Sequence, residues 1–107
     1  KSLVLTADGV PLLVLVSGPN RVDTAALGTR LGGTVGMAAA ALVKASTGYS
    51  IGGVPPLGFP EPLRTVMDET LLELPEVWAA AGTATSVFPI APTELARLTR
   101  AEVLPVA

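Results

Sequence analysis

Lys44-Ala45-Ser46-Thr47-Gly48-Tyr49-Ser50-Ile51-Gly52-Gly53-Val54-Pro55-Pro56-Leu57-Gly58 is the stretch on which the reading of this chain turns. It begins inside a segment, residues 38–46, in which four consecutive Ala precede Leu42 and Val43, a composition that predicts helix. Gly48 is the expected C-terminal stop. Residues 49–54 then read as a strand running into a Gly/Pro loop at 55–62. Glycine lets a backbone approach a ligand closely and adopt positive φ, while proline stiffens it. Such a loop can aim main-chain N–H groups at a carbonyl oxygen as it becomes negative, and one donor of that kind is worth about 10²–10³ in rate. A plain tight turn uses the same residues, and composition alone favours the turn.

Outward toward the N-terminus, residues 2–7 and 11–17 are two apolar runs rich in Leu and Val, separated by Ala7-Asp8-Gly9. They predict a β-hairpin. Asp23 is a plausible N-cap for a short helix, 24–31, with Leu27 and Leu31 one turn apart. Gly32-Gly33 ends it, and residues 34–37 read as a short strand. Toward the C-terminus, residues 63–72 read as a strand centred on Thr65, Val66 and Met67. Residues 77–81 and 86–90 read as two strands around a turn at Gly82-Thr83. Pro92-Thr93 opens a last helix, 94–102, with Thr93 as N-cap and Leu95, Leu98 and Val103 as its apolar stripe. Strands joined by hairpins with three short helices make an α+β pattern without regular βαβ alternation.

With 107 residues the chain is expected to be one domain. Cys and His are both absent. That removes disulfides, thiol nucleophiles, imidazole acid–base catalysis and the usual zinc sites. No metal or cofactor is expected, and any catalysis must rest on Lys, carboxylates, hydroxyls, main-chain dipoles or the substrate itself. The net charge of −2 gives no support for broad nucleic-acid binding, which needs a basic surplus, whereas contact with the end of a single strand needs far less. No apolar run reaches the roughly 18 residues of a membrane span. No targeting segment is visible, so a cytoplasmic location is expected. A strand starting at residue 1 without an initiator Met suggests that residues once preceded it.

Three further places can carry chemistry. Lys1 heads the first strand and could hold a phosphate or a carbonyl oxygen as a point charge, although a solvated Lys is the plainer reading. The small residues at 79–86 could line a pocket floor, with the hydroxyls of Thr83, Thr85 and Ser86 orienting a ligand, although a simple hairpin explains them too. Asp68, Glu69 and Glu73 are candidate general bases. Asp68 and Glu69, adjacent in the expected strand, would face opposite ways and read as solvated surface. Glu94, Arg97 and Arg100 read as the exposed side of the last helix.

The segment from Lys44 to Gly58 closely resembles the TGY-x-x-GG-x-x-P-x-G stretch of the YbaK/EbsC family, which includes freestanding trans-editing deacylases and the insertion domain of bacterial prolyl-tRNA synthetase. Lys1 before an apolar strand, Leu63-Arg64-Thr65-Val66-Met67-Asp68, Val77-Trp78-Ala79-Ala80-Ala81-Gly82-Thr83 and Ile90-Ala91-Pro92-Thr93-Glu94-Leu95 resemble that family's remaining segments, in its order. The resemblance runs from Lys1 to about Arg100. It implies a strongly curved, mixed, mostly antiparallel and barrel-like sheet flanked by short helices. It places catalytic positions at Lys1, Gly52 and Pro56, and substrate contacts at Gly53, Val54, Ala80, Gly82, Thr83 and Thr85. It further implies that the loop backbone meets the aminoacyl carbonyl, that Lys1 positions the substrate end, and that the substrate's own ribose hydroxyl aids the attacking water. Ala80-Ala81-Gly82 stands where cysteinyl-specific members carry Ser-Gly-Gly, which argues against cysteinyl specificity, and Thr85 stands where some members carry His. The family's N-terminal helical region has no counterpart before Lys1, so residues 1–107 are expected to be an editing domain lacking it.

The function so implied is deacylation of a misacylated tRNA, with tRNA for proline carrying alanine or another small residue as the expected substrate. The partners implied are the aminoacyl-tRNA 3′ end and prolyl-tRNA synthetase, with no membrane. Three alternatives stay open: a module that binds the tRNA end without turnover, an editing insertion of prolyl-tRNA synthetase, and a regulatory domain of a larger protein.

Overall fold

The two N-terminal apolar runs pair as their turn chemistry requires. Strands β1 (Ser2–Ala7) and β2 (Val10–Leu15) form an antiparallel ladder from Ser2 opposite Leu15 to Ala7 opposite Val10. Asp8 and Gly9 both have positive φ, 50° and 81°, as a two-residue type I′ turn demands. The computed structural model describes all residues, 1–107. Helix α1 (Thr24–Leu31) begins at Asp23, whose side chain accepts from the Ala26 N–H at 3.0 Å, and ends at a left-handed Gly32. Strand β3 (Val35–Met37) returns antiparallel to β1. Asp8 anchors this return: its N–H donates to the Thr34 carbonyl, and its carboxylate accepts from the Thr34 N–H, both at 2.8 Å.

Helix α2 (Ala40–Thr47) leads into a long loop, and β4 (Arg64–Asp68) then pairs in parallel with β2. A 3-10 helix (Glu69–Glu73), the hairpin β5 (Val77–Ala80) and β6 (Val87–Ile90), α3 (Pro92–Thr99) and β7 (Glu102–Leu104) complete the chain. The main sheet has the order β3-β1-β2-β4-β7, and the β5–β6 hairpin stands apart as a second sheet. The architecture is α+β with a mixed five-stranded sheet. Two of its pairings are antiparallel and two parallel, so the expected excess of antiparallel pairs is absent from it. Nor is it closed into a barrel: β3 and β7 are opposite edges and do not pair with one another.

Helices cover both faces of the sheet. On one, Val4, Leu13, Leu15 and Met67 pack against Val43 of α2, Leu95 of α3 and Val54 of the loop. On the other, Leu5, Leu12, Val14 and Val66 pack against Leu27 of α1 and Val106. Strand β2 is therefore buried on both sides, which is why it reads as an unbroken apolar run. No helix is long and apolar enough to cross a membrane.

Three elements differ from expectation, the last at both ends. Residues 49–54 form turn and loop, not strand. Strand β4 stops at Asp68, where the 3-10 helix takes over. Helix α3 starts two residues earlier than Thr93 implied, with Ala91 as N-cap and Pro92 in its first turn, where a missing N–H does no harm. It also ends at Thr99, because Arg100 turns left-handed (φ 54°) and the chain re-enters the sheet as β7.

Candidate functional site

The loop after α2 is shaped by the residues quoted first. Thr47 is buried; its hydroxyl donates to the Val43 carbonyl at 2.7 Å and accepts from the Tyr49 N–H at 3.0 Å. Gly48 ends the helix with φ 80°, and Lys44 donates to its carbonyl. The Gly53 N–H then closes a turn on the Ser50 carbonyl at 3.0 Å. Gly52 takes φ 92° at the third position of that turn, where only glycine is unstrained. Val54, Pro55 and Pro56 run on buried.

The loop packs directly onto the turn of the β5–β6 hairpin. A Cβ on Gly53 would lie 3.1 Å from the Thr83 Cα and 3.2 Å from the Gly82 oxygen. Gly82 (φ 108°) lies under the Tyr49 ring, where a Cβ would come within 3.2 Å of Cε1. Two glycines, each admitting the other's backbone or an adjacent ring, thus lock loop and hairpin together.

Between this locked loop, the head of β1 and the end of β5 lies a cavity of about 310 Å³. Lys1, Gly52, Val54 and Ala80 all line it, together with Ser2, Met37, Val43 and Ile51. Its wall is largely apolar. Lys1 is the only ionisable side chain in it, and no carboxylate borders it. The Lys1 backbone continues the hairpin by accepting from the Val16 N–H, and its ammonium donates to the Gly18 carbonyl at 3.1 Å on the exposed surface. Neither the Gly52 nor the Val54 N–H is bonded to a main-chain acceptor. Two residues whose amides have no protein acceptor thus line one small apolar cavity together with one cationic side chain.

The remaining sequence candidates lie nearby but not in that cavity. Gly53, Gly82 and Thr83 border a neighbouring recess of about 290 Å³ with Lys44 and Tyr49. Pro56 borders a third recess, beside Phe59 and Leu98. Thr85 is exposed and borders none of these spaces. The Thr83 hydroxyl is bonded to the Ser86 hydroxyl within the hairpin turn.

Sequence reasoning missed Ser2, Met37 and Ile51. Ser2 had a usable signal, since it alternates onto the same strand face as Val4; Met37 and Ile51, 79% and 65% exposed, had none. Asp68 was expected on the solvated surface and is buried instead: it accepts from the Val106 N–H at 3.1 Å and the Thr70 hydroxyl at 2.7 Å, far from a general base's exposure. Glu94 pairs with Arg97 on the exposed face of α3 as expected, and the guanidinium's hydrogen bond holds its carboxyl below the usual glutamate range.

A family model described as the aminoacyl-tRNA editing domain matches residues 1–98. A crystal structure of a proposed trans-editing enzyme for prolyl tRNA synthetase superposes with a TM-score of 0.94 at 44% identity, over 99% of this chain and 68% of that one. A structure from work on grafting epitope backbones onto scaffold proteins by computational design gives 0.93 and 44% over the same shares. A hypothetical protein gives 0.91 at 31%, over 99% of this chain and 71% of its own. A family match across nearly the whole length, with the glycine loop and its cavity in place, means that the chain belongs to the aminoacyl-tRNA editing domain family, the YbaK-like group its sequence resembles.

Proposed function

We propose that residues 1–107 act as one unit that hydrolyses the ester of misacylated tRNA, with tRNA for proline carrying alanine or another small amino acid as substrate. The observation that carries this reading is the shared cavity of Lys1 and the unengaged Gly52 and Val54 amides. At about 310 Å³ it sits at the low end of ligand pockets, roughly 300–1,000 Å³, which suits a small acyl group. Ala80 and Gly52 leave room for a methyl side chain, and each extra methylene is worth only about 1–3 kcal/mol of discrimination. A second checking site is useful for that reason.

Water attacks the acyl carbon, and the carbonyl electrons move to oxygen, where the Gly52 and Val54 amides stabilise them. Lys1 leaves the Gly18 carbonyl and holds the substrate end. Collapse of the tetrahedral species breaks the ester bond and releases the ribose oxygen, which takes up a proton. With no carboxylate or imidazole on the cavity wall, the free hydroxyl of the substrate ribose relays the proton, accepting the water's proton as it gives its own to the departing ribose oxygen. Pro56 stiffens the loop, Gly53 and Gly82 fix it to the hairpin, and Thr83 and Thr85 shape the turn beside it. The work belongs to the cytoplasm, alongside prolyl-tRNA synthetase.

Single-turnover deacylation across a panel of aminoacyl-tRNAs tests the reading, with alanyl-tRNA expected among the fastest. Lys1→Ala is expected to lose about 10²-fold with an unchanged melting temperature, because the side chain is exposed. Full activity in that variant would remove Lys1 from the mechanism. Binding of the charged end without turnover by the wild-type chain would replace catalysis by recognition.

A further inference from the structure

The outer face of the β5–β6 hairpin is apolar where a solvated face of an antiparallel pair is ordinarily polar. Trp78 and Ala80 alternate with Val77 and Ala79 along β5, and directly opposite them on β6 stand Pro89 and Val87. The inward set is accounted for: Ala79 is buried, and Val77 and Ile90 pack on the core. The outward set is uncovered, with Trp78 61% and Val87 57% exposed and Pro89 exposed beside them.

Ala80 belongs to both this face and the cavity, which Lys1 and Gly52 also line. Trp78 is two residues further along the same strand face, about 7 Å away by strand geometry. In an aminoacyl-tRNA the acyl group is esterified to the terminal ribose, and the terminal base is the next group out. With the acyl group in the cavity, that base emerges within one nucleotide of Ala80. Charge cannot hold it there strongly: seven Lys and Arg stand against nine Asp and Glu, so phosphate neutralisation contributes little. Stacking on an aromatic face is the strong contact that remains, and it suits an unpaired strand.

From this juxtaposition we infer that Trp78 is a stacking platform for an unpaired nucleobase at the tRNA 3′ end, with Val87 and Pro89 as its apolar surround. The inference rests on the proposed deacylase reading and adds the contact that retains the terminal nucleotide.

Trp78 is the only tryptophan, so intrinsic emission reports on it alone. Titration with the trinucleotide CCA is expected to quench that emission saturably, and the same oligonucleotide with an abasic 3′ residue to bind at least about tenfold more weakly. In deacylation of alanyl-tRNA, Trp78→Ala is expected to raise KM about 5- to 150-fold with kcat unchanged, and Trp78→Phe to recover most of the loss. Wild-type deacylation combined with no quenching by CCA and an unaltered KM in Trp78→Ala overturns the inference and leaves the deacylase reading intact. Quenching by CCA without deacylation of any aminoacyl-tRNA supports the stacking contact and sinks the deacylase reading instead. Should Trp78→Ala fail to fold, wild-type quenching and the Trp78→Phe kinetics decide. A response of the emission to prolyl-tRNA synthetase, or to rising protein concentration, but not to CCA makes the face a protein interface and overturns the inference.

Discussion

Gly53→Ala separates the loop's structural role from its chemical one. The added Cβ would meet the Thr83 Cα and carbonyl carbon at 3.1 Å and the Gly82 oxygen at 3.2 Å. Comfortable carbon contacts begin near about 3.5 Å, and all three neighbours are main-chain atoms that no rotamer change removes. The loop and the hairpin turn must therefore part by a few tenths of an ångström. Overpacking of this kind costs about 1–3 kcal/mol, and for a domain of this size each kcal/mol lowers Tm by roughly 4–8 °C. Gly48→Ala is the control. Unlike Gly53 it sits at positive φ, 80°, with nothing within 4 Å of the new Cβ, so it bears only the backbone cost of about 1–2 kcal/mol. Both variants melt earlier. Only Gly53→Ala displaces the neighbouring Gly52 and Val54 amides, and since a misplacement of 1 Å can cost about 10²-fold, a shift of a few tenths is expected to lower kcat about tenfold. The assay is single-turnover deacylation of alanyl-tRNA well below both melting temperatures, paired with thermal melts followed by circular dichroism. A Gly53→Ala rate equal to that of Gly48→Ala, despite the lower Tm, would refute the assignment of these amides to the reacting carbonyl.

Two further perturbations probe the frame. Asp68→Ala strands the buried Val106 N–H and should lower stability by about 1–3 kcal/mol in urea unfolding. Asp68→Asn, which keeps an acceptor, should recover much of the loss, and deacylation at 25 °C should be unchanged in both. Arg64 donates to Glu102 at 2.8 Å across the β4–β7 pair, and that hydrogen bond holds the Glu102 carboxyl below its ordinary 4.5. A depressed folded value means that the pair stabilises above pH 4.5 and loses its contribution as the pH falls through the folded value. Both side chains are nearly half exposed, so the effect is under about 1 kcal/mol. The wild-type and Glu102→Gln unfolding midpoints should differ slightly at neutral pH and in low salt, and converge in acid; a difference that persists in acid would point to packing rather than charge.

Elements decided by adjacent residues were legible in the sequence: the Asp8-Gly9 hairpin, the Asp23 cap of α1, the Gly48 stop of α2 and the pairing of β5 with β6 all follow from local turn and cap chemistry. Elements decided by distant partners were not. Strand β7 has three residues and exists through its parallel pairing with β4. Asp68 looks like any strand-end carboxylate until the Val106 N–H arrives to bury it. Lys1 and Ala80 border one cavity although 79 positions apart, and nothing in one sequence but the order of the resembling segments placed them together. The most instructive miss is residues 49–54. Tyr49, Ile51 and Val54 carry ordinary strand propensity, yet Gly53 bonds back to Ser50 and turns the chain out of the sheet. Had those residues formed the expected strand, the ladder would have consumed the Gly52 and Val54 amides. The glycines defeat the strand, and that defeat leaves two donors free beside Lys1. On the proposed deacylase reading, the local rule fails at the place where a regular ladder would have closed the site to an ester carbonyl.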